Sequence, residues 1–357
     1  MNTMVAALDL SDTEGVTTVL SPYGDVTDSF TIRLDDHGFA QFAGRVPRDA
    51  KVAFEATGMA YPVHRALASY GYDVTVVHPK ELAWIVKSKK KNDKADSLKI
   101  AKLHMSGMML PESHLLDPEE QVKRDLLVQR VKIGNEIGRL KNSIIAYLKR
   151  EGIYHRLPPS TDNFSEKRRK AIAALRFNDD RDLVLRTMTD RLDFLEKQCD
   201  PIEDRIKKYA VKSDDVRLLM TINGVDYYLA SLISSYVGDV SRFPSDDQLA
   251  SYFGIVPANR DSGSVKRRGR MAKEGPATAR WALSMMVDTV NRQNKPIREY
   301  YQSVRARTGS GKMAHVSTGR KLLRMLYHML KTRQHWKWEN PKLSEKKIVR
   351  LGGGDTD

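Results

Sequence analysis

Cysteine is almost absent from this chain. The one thiol, Cys199, excludes an internal disulfide framework and a cysteine-built zinc site, and it suits a reducing compartment. Long apolar runs are missing too: no stretch approaches the roughly 20 residues that span a bilayer. The opening MNTMVAALDL lacks a basic segment before the early Asp9, so a secretory leader is not expected. Together these absences favour a bacterial cytosol or nucleoid and no membrane partner. Acids are scarce in one region. From Arg260 to Arg350 there are 6 Asp/Glu against 23 Lys/Arg, a net of +17, whereas residues 1–82 hold 11 against 6, a net of −5. A field of the first sign concentrates polyanions, nucleic acid above all, because every phosphate neutralised releases counterion. The plainer alternative is a basic surface that serves solubility.

What is present is ordinary for a globular protein: 357 residues, 41% hydrophobic and 29% charged, enough for more than one domain. The first hundred residues read as α/β. MVAALDL, GVTTVLS and DSFTIRL are short apolar runs separated by turn residues, which predicts hairpin-connected strands. DDHGFAQFAGRV then reads as a helix, KVAFEAT as a buried strand, YPVHRALASYGY as a helix and DVTVVHP as a strand, so a mixed sheet flanked by helices is expected.

From Glu119 to about Tyr154 the pattern turns helical, with Ile133, Ile137, Leu140, Ile144 and Leu148 at three- and four-residue steps. After the break RLPPSTDNFS, a heptad seam runs through Leu185, Met188, Leu192, Leu195, Cys199, Ile202, Ile206 and Tyr209. Asp200-Pro201 is expected to cap and restart the helix, splitting the seam into two segments. A hairpin within one chain and a coiled coil between chains are both compatible with it. Further on, Asn223-Gly224-Val225 separates two apolar helical stretches, either a helix-hairpin-helix that offers backbone N–H groups to phosphate or a plain packing unit. GPATARWALSMMVDTVNRQ reads as an amphipathic helix, and the tail from Lys342 as basic, then Gly-rich and disordered.

Four acids stand out. Asp9 lies inside the first apolar strand and Glu55 ends KVAFE; acids in such places are costly unless paired or metal-bound. Asp93 and Asp96 stand three apart at the start of a helix and so share a face. Convergent carboxylates suit Mg²⁺, a hard cation that leaves positions open for phosphate oxygens. Each acid has a simpler reading: Asp93 and Asp96 as favourable charges at a helix N-terminus, Asp9 as the start of a turn, Glu55 as a helix cap. A different chemistry is suggested by RDSGSVKRRGRMAKEG, residues 260–275, where two serines precede Lys266, Arg267, Arg268 and Arg270. A serine there either attacks phosphorus or merely touches phosphate.

The acids fall in the order strand one, strand four, later helix. That order matches a ribonuclease-H-like arrangement, and the blocks that carry them look familiar. ALDLS, AFEATG and KNDKADSLKIAKL, followed by INGVDYYLASLI, LASYFGIVP and DSGSVKRRGRMAKEGPATARWAL, resemble the DEDD-type insertion-sequence transposases. These have a RuvC-like N-terminal domain and a C-terminal serine transposase domain, and are understood as bridge-RNA-guided serine recombinases. The blocks keep the family order and span nearly the whole chain. The chain departs from the family at Asn92, Ser97, Asp226 (where a second hairpin glycine is usual), Met271-Ala272 and Ala279, none of which removes a residue with a chemical role.

The resemblance implies four regions: a RuvC-like DEDD domain over 1–112, a coiled-coil and oligomerisation region over 113–212, a mainly helical transposase domain with a helix-hairpin-helix over 213–341, and the tail 342–357. It implies Mg²⁺ held by Asp9, Glu55, Asp93 and Asp96. It also implies a nucleophile at Ser262, the serine before the glycine, with Ser264 a decoy. Lys89, Lys90, Lys91, Lys266, Arg267, Arg268, Arg270, Lys273 and Arg280 would hold nucleic acid. Ser262 would form a phosphoserine link to a 5′ end; target and donor DNA would be chosen by a structured non-coding RNA, within a dimer to tetramer. Two readings compete with this one: a metal-dependent junction or strand nuclease that uses water, and a non-catalytic nucleic-acid-binding protein.

Overall fold

A computed structural model of the chain describes residues 3–79, 93–106, 112–259, 268–271 and 274–352, with side chains left aside at 93–96, 257–259 and 268–270. The chain divides into two compact units, Met1–Asp117 and Pro118–Asp357.

In the first unit, alternating apolar residues build β1 (Val5–Leu10), β2 (Glu14–Leu20) and β3 (Val26–Arg33) as an antiparallel meander. Helix α1 (Asp36–Arg45) follows, its first turn capped by the Asp35 carboxylate, which accepts from the Gly38 N–H at 2.9 Å. Strand β4 (Lys51–Glu55), helix α2 (Ala60–Ser69) and strand β5 (Asp73–Val77) complete a five-stranded sheet of order β3-β2-β1-β4-β5, with β4 parallel to both β1 and β5. The strand and helix expectations for this region therefore hold, and the topology is compatible with a ribonuclease-H-like domain.

Side-chain alternation divides the sheet into two faces. Ala6, Leu8, Val52 and Phe54 turn toward Phe39, Phe42, Val63 and Leu67 of α1 and α2. Val5, Ala7, Ala53 and Val77 turn the other way, against Ile100 and Ala101 of α3 (Asp93–Met105). The direction of α3 can be read from its contacts. Near its N-terminus the Ser97 hydroxyl shares a 2.8 Å hydrogen bond with Thr18 of β2. At its far end Met105 lies beside Gly24, in the β2–β3 turn. Helix α3 thus runs antiparallel to β1.

One turn-end residue of α3 gives this unit an acid-sensitive point. Burial holds His104 below its ordinary value of 6.5, with Lys51 adding to the effect and Asp73 opposing it, and its Nε2 is buried without a hydrogen-bond partner among the described residues. Because the folded value is the lower one, the stability gained by keeping the ring neutral is present above pH 6.5 and is lost as pH falls through the folded value. Thermal melts of wild type and His104→Gln should accordingly diverge below pH 6.5, the wild type losing more with each step of acidification. Parallel curves would dismiss His104 as the cause.

Among its described residues the second unit is helical apart from one small hairpin. Helices α4 (Pro118–Arg150) and α6 (Arg181–Lys212) are 33 and 32 residues long; the short α5 (Glu166–Ala174) lies between them in sequence. Ile133 packs with Leu195 and Cys199, whereas Ile144 and Leu148 pack with Leu185 and Leu192. The two helices are therefore antiparallel partners within one chain. Arg130–Glu203 at 2.6 Å and Lys141–Glu196 at 3.0 Å lie along the same pairing. Pro201 does not split α6 as the sequence suggests: the helix passes through it unbroken. Leu192, Leu195 and Cys199 before it, and Ile206 and Ala210 after it, are all buried. Burial of both halves outweighs the roughly 3 kcal/mol cost of an interior proline.

Beyond α6 come α7 (Asp214–Met220), α8 (Tyr227–Val237), α9 (Asp246–Tyr252), strands β6 (Pro257–Asn259) and β7 (Arg268–Met271), then α10 (Ala277–Gln293), α11 (Lys295–Thr308) and α12 (Gly311–Thr332). They share one core that includes Leu219, Ile233, Phe253, Met286, Leu323 and Leu326. The tail corrects an expectation of disorder. Pro341–Leu351 forms helix α13, capped by Asn340, whose side chain accepts from the Leu343 N–H, and Leu351 is buried in the common core. The terminal residues 353–357 lie outside the described part. No helix among the described residues is long and apolar enough to cross a membrane.

Candidate active-site elements

Asp9 is the half-buried penultimate residue of β1 and Glu55 the half-buried last residue of β4. The parallel register pairs Leu8 with Phe54, so the two acids are the next residues along, on strands about 5 Å apart. Both share the parity of Ala7 and Ala53, which places them on the face that α3 covers. Since α3 runs antiparallel to β1, its first turn, where Asp93 and Asp96 stand in the backbone, comes to the same end of the sheet as Asp9 and Glu55. Three separate elements thus bring their acid-bearing segments to the carboxyl ends of β1 and β4. Carboxylates are hard oxygen donors, and that donor set fits Mg²⁺. Among the described residues, no cluster of three metal-ligating side chains is closed; the side chains of Asp93 and Asp96 lie outside that description.

Ser97, one of the expected departures, has a physical use: its hydroxyl is the one bonded to Thr18, and both groups are buried.

The second element belongs to the other unit. β6 and β7 pair antiparallel, Pro257 with Met271 and Asn259 with Arg268. Ser262 and Ser264 fall in the chain between them, outside the described residues, as do Lys266, Arg267, Lys273 and, in the first unit, Lys89, Lys90 and Lys91. Arg268 and Arg270 lie on β7. Arg280, half-buried at the start of α10, donates to the Gly275 carbonyl.

What holds the base of this hairpin was not visible in the motifs. Gly254 adopts φ +66, and a Cβ there would stand 2.6 Å from the Gly275 nitrogen; a Cβ on Gly275 would stand 2.0 Å from the Tyr252 carbonyl oxygen. Two bare backbones touch at this point, one just before β6 and one just after β7. Each glycine sits in a quoted block, LASYFGIVP or MAKEGP, but nothing in either block says that they meet.

The α7–α8 turn is also built tightly. Gly224 adopts φ +92, and a Cβ there would meet the Thr289 carbonyl oxygen at 2.8 Å. Asp226, where the resemblance leads one to expect a second glycine, caps α8 by accepting from the Leu229 N–H at 2.8 Å. Its carboxylate therefore occupies one of the amides that a phosphate would use. Asn223 is fastened from several sides: it donates to the Trp338 carbonyl at 2.9 Å, and its own carbonyl accepts from Asn294 at 2.8 Å. Trp336 in turn donates to Asn294 at 3.0 Å. Sequence reading missed these partners because Trp338 stands 115 residues further along the chain from Asn223, in a stretch that none of the quoted blocks includes.

Comparison with known proteins finds two family matches, one beginning in each unit's sequence. Residues 6–152 match a transposase family of the DEDD, IS110 type, and residues 216–302 match the transposase IS116/IS110/IS902 family. A transposase for insertion sequence element IS1533 from Leptospira borgpetersenii is 27% identical over 192 residues, 52% of this chain and 54% of that protein. A transposase for insertion sequence element IS1111A from Coxiella burnetii is 25% identical over 235 residues, 65% of this chain and 63% of that protein. The alignment thus spans about half the length of the first relative and under two-thirds of the second.

Proposed function

We propose that this chain, which carries both domains of the IS110/IS116 insertion-sequence transposases in family order, cuts and rejoins DNA through a covalent serine intermediate. The observation that carries the reading is the meeting of Asp9 on β1, Glu55 on β4 and the first turn of α3 at one end of a mixed sheet. Asp9, Glu55, Asp93 and Asp96 would hold Mg²⁺. When bound there, the ion supplies charge stabilisation at phosphorus and at the departing oxygen.

Ser262 is the nucleophile in this proposal. Its Oγ forms a bond to phosphorus, the P–O3′ bond breaks, and the proton ends on the 3′ oxygen. The product is a phosphoserine link to the 5′ end and a free 3′-OH. A 3′-OH from a second duplex reverses the step without ATP, because the linkage keeps a phosphodiester's bond energy. Arg268, Arg270 and the neighbouring Lys266 and Arg267 would grip the backbone and offset its charge. Target and donor sites would be read by pairing with a structured non-coding RNA, the protein holding shape and backbone. Exchange between two duplexes implies a dimer to tetramer.

The test is a denaturing-gel search for a protein–DNA adduct. The chain is co-expressed with the DNA that flanks its gene, then given labelled junction DNA and Mg²⁺. An adduct in wild type and Ser264→Ala, absent in Ser262→Ala, is the expected pattern. Cleaved DNA without adduct, persisting in Ser262→Ala, would transfer the chemistry to water and leave Ser262 as a phosphate contact.

A further inference from the structure

Helix α13, beyond the matched family segment, sends one cation into the α7–α8 turn. The Nζ of Lys347 donates to the carbonyls of Ile222 and Val225, each at 3.0 Å, and to that of Met220. An ammonium has three N–H donors, and each finds one backbone oxygen here. Met220 ends α7, so the negative end of the helix dipole adds to the same point. The turn is held in the shape that aims these oxygens inward by the left-handed Gly224 and by the contacts of Asn223 with Trp338 and Asn294. Burial pushes the ammonium down to about 8, and the carboxylates of Asp226 and Glu339 act the other way.

We propose that the carbonyls of Met220, Ile222 and Val225 form a monovalent-cation site, and that Lys347 is its chain-borne occupant. Three converging neutral oxygens suit a singly charged ion. Mg²⁺ demands a near-octahedral set and sheds its water reluctantly, so it fits them poorly, whereas carbonyl oxygens can replace the hydration shell of potassium. The site is reachable. A cleft of about 450 Å³ lined by Gly224, Val225, Asp226, Trp281 and Gln293 includes Lys347 in its wall, so shortening that side chain opens the oxygens to solution. The lysine makes the turn independent of dissolved salt by supplying the charge from within the chain. This inference rests on the turn alone and stands apart from the proposed chemistry at Ser262.

The experiment is thermal melting of the full chain in potassium, sodium and tetramethylammonium chloride at equal ionic strength. Wild type should melt at one temperature in all three. Lys347→Ala should melt several degrees lower in tetramethylammonium, which is too large for the site, and should recover most of the loss in potassium or sodium with a saturable dose dependence. Lys347→Met, whose longer side chain still blocks the space, should show the loss without the recovery. An alanine variant that folds only with potassium or sodium supports the proposal in its strongest form. Equal loss in the three salts, failure to fold in all of them, or the same salt preference in wild type would overturn it.

Discussion

Asp9→Asn is expected to lower Mg²⁺-dependent DNA cleavage by about 10³-fold, the several kcal/mol that a well-placed metal contributes to charge stabilisation at phosphorus. The substitution keeps size and shape and removes only the charge. Asp9 sits between Leu8 and Leu10 in a strand paired on both sides, and the ladder is built from backbone groups that asparagine keeps. Circular dichroism and melting should therefore be little changed while activity collapses. Glu55→Gln should do the same, and the double variant should lose scarcely more than either single one, since as proposed ligands of one ion the two would act as a unit. Raising Mg²⁺ should recover part of the activity of each single variant. If both variants stay within tenfold of wild type, the acids are structural and the non-catalytic reading gains the advantage.

The second large effect should come from Gly275→Ala, a residue with no chemistry of its own. Its added methyl would stand 2.0 Å from the Tyr252 carbonyl oxygen and 2.7 Å from the Phe253 carbonyl carbon. Backbone cannot swing aside as a long side chain can. The two strands of chain that close the β6–β7 hairpin must separate, at a cost on the order of 3 kcal/mol. Denaturant melts should record that loss. Adduct formation should also fall well below wild type at temperatures where the variant remains folded, because the segment bearing Ser262 springs from this base. Gly44→Ala is the matched control: it lies in α1 with nothing within 4 Å of the added carbon, and a helix-interior alanine should stabilise by about 0.5–1 kcal/mol. Equal behaviour of the two variants would mean that the Gly254–Gly275 contact carries no load.

Much of the first unit was legible in the sequence because its signals are local. Alternation in MVAALDL and KVAFEAT marks strands with one face to each side, and the same alternation puts Asp9 and Glu55 on a common face once the strands pair in parallel. Pairing partners are not local, so the meeting of those acids with the first turn of α3 needed the three-dimensional fold. Pro201 misled for a related reason: its intrinsic penalty is readable from one residue, whereas the burial that overrides it depends on α4, some sixty residues away. The tail was the avoidable error. Asn340, Pro341 and Gly352 are ordinary start and stop signals for a helix, and the surplus of charge between them obscured a helix whose Leu351 is buried. For the Gly254–Gly275 contact and the Lys347 cage, the warrant lies wholly in long-range packing, and no reading of either block alone could supply it.

The face of the sheet beneath α3 is largely apolar: Ala7 and Ala53 lie among Val5, Leu20 and Val77, and Ile100 and Ala101 meet them from the helix. Apolar burial is non-directional, so by itself it fixes the register of the helix only through side-chain packing. A slip of one turn would carry the leading acids about 5.4 Å, far beyond what any shared ion could bridge. The buried hydroxyl pair of Thr18 and Ser97 resists that slip, because a displaced helix would strand two polar groups in an apolar layer. It acts as a detent on that joint, so that the proposed carboxylate site would be kept in register by a bond which none of its four acids makes.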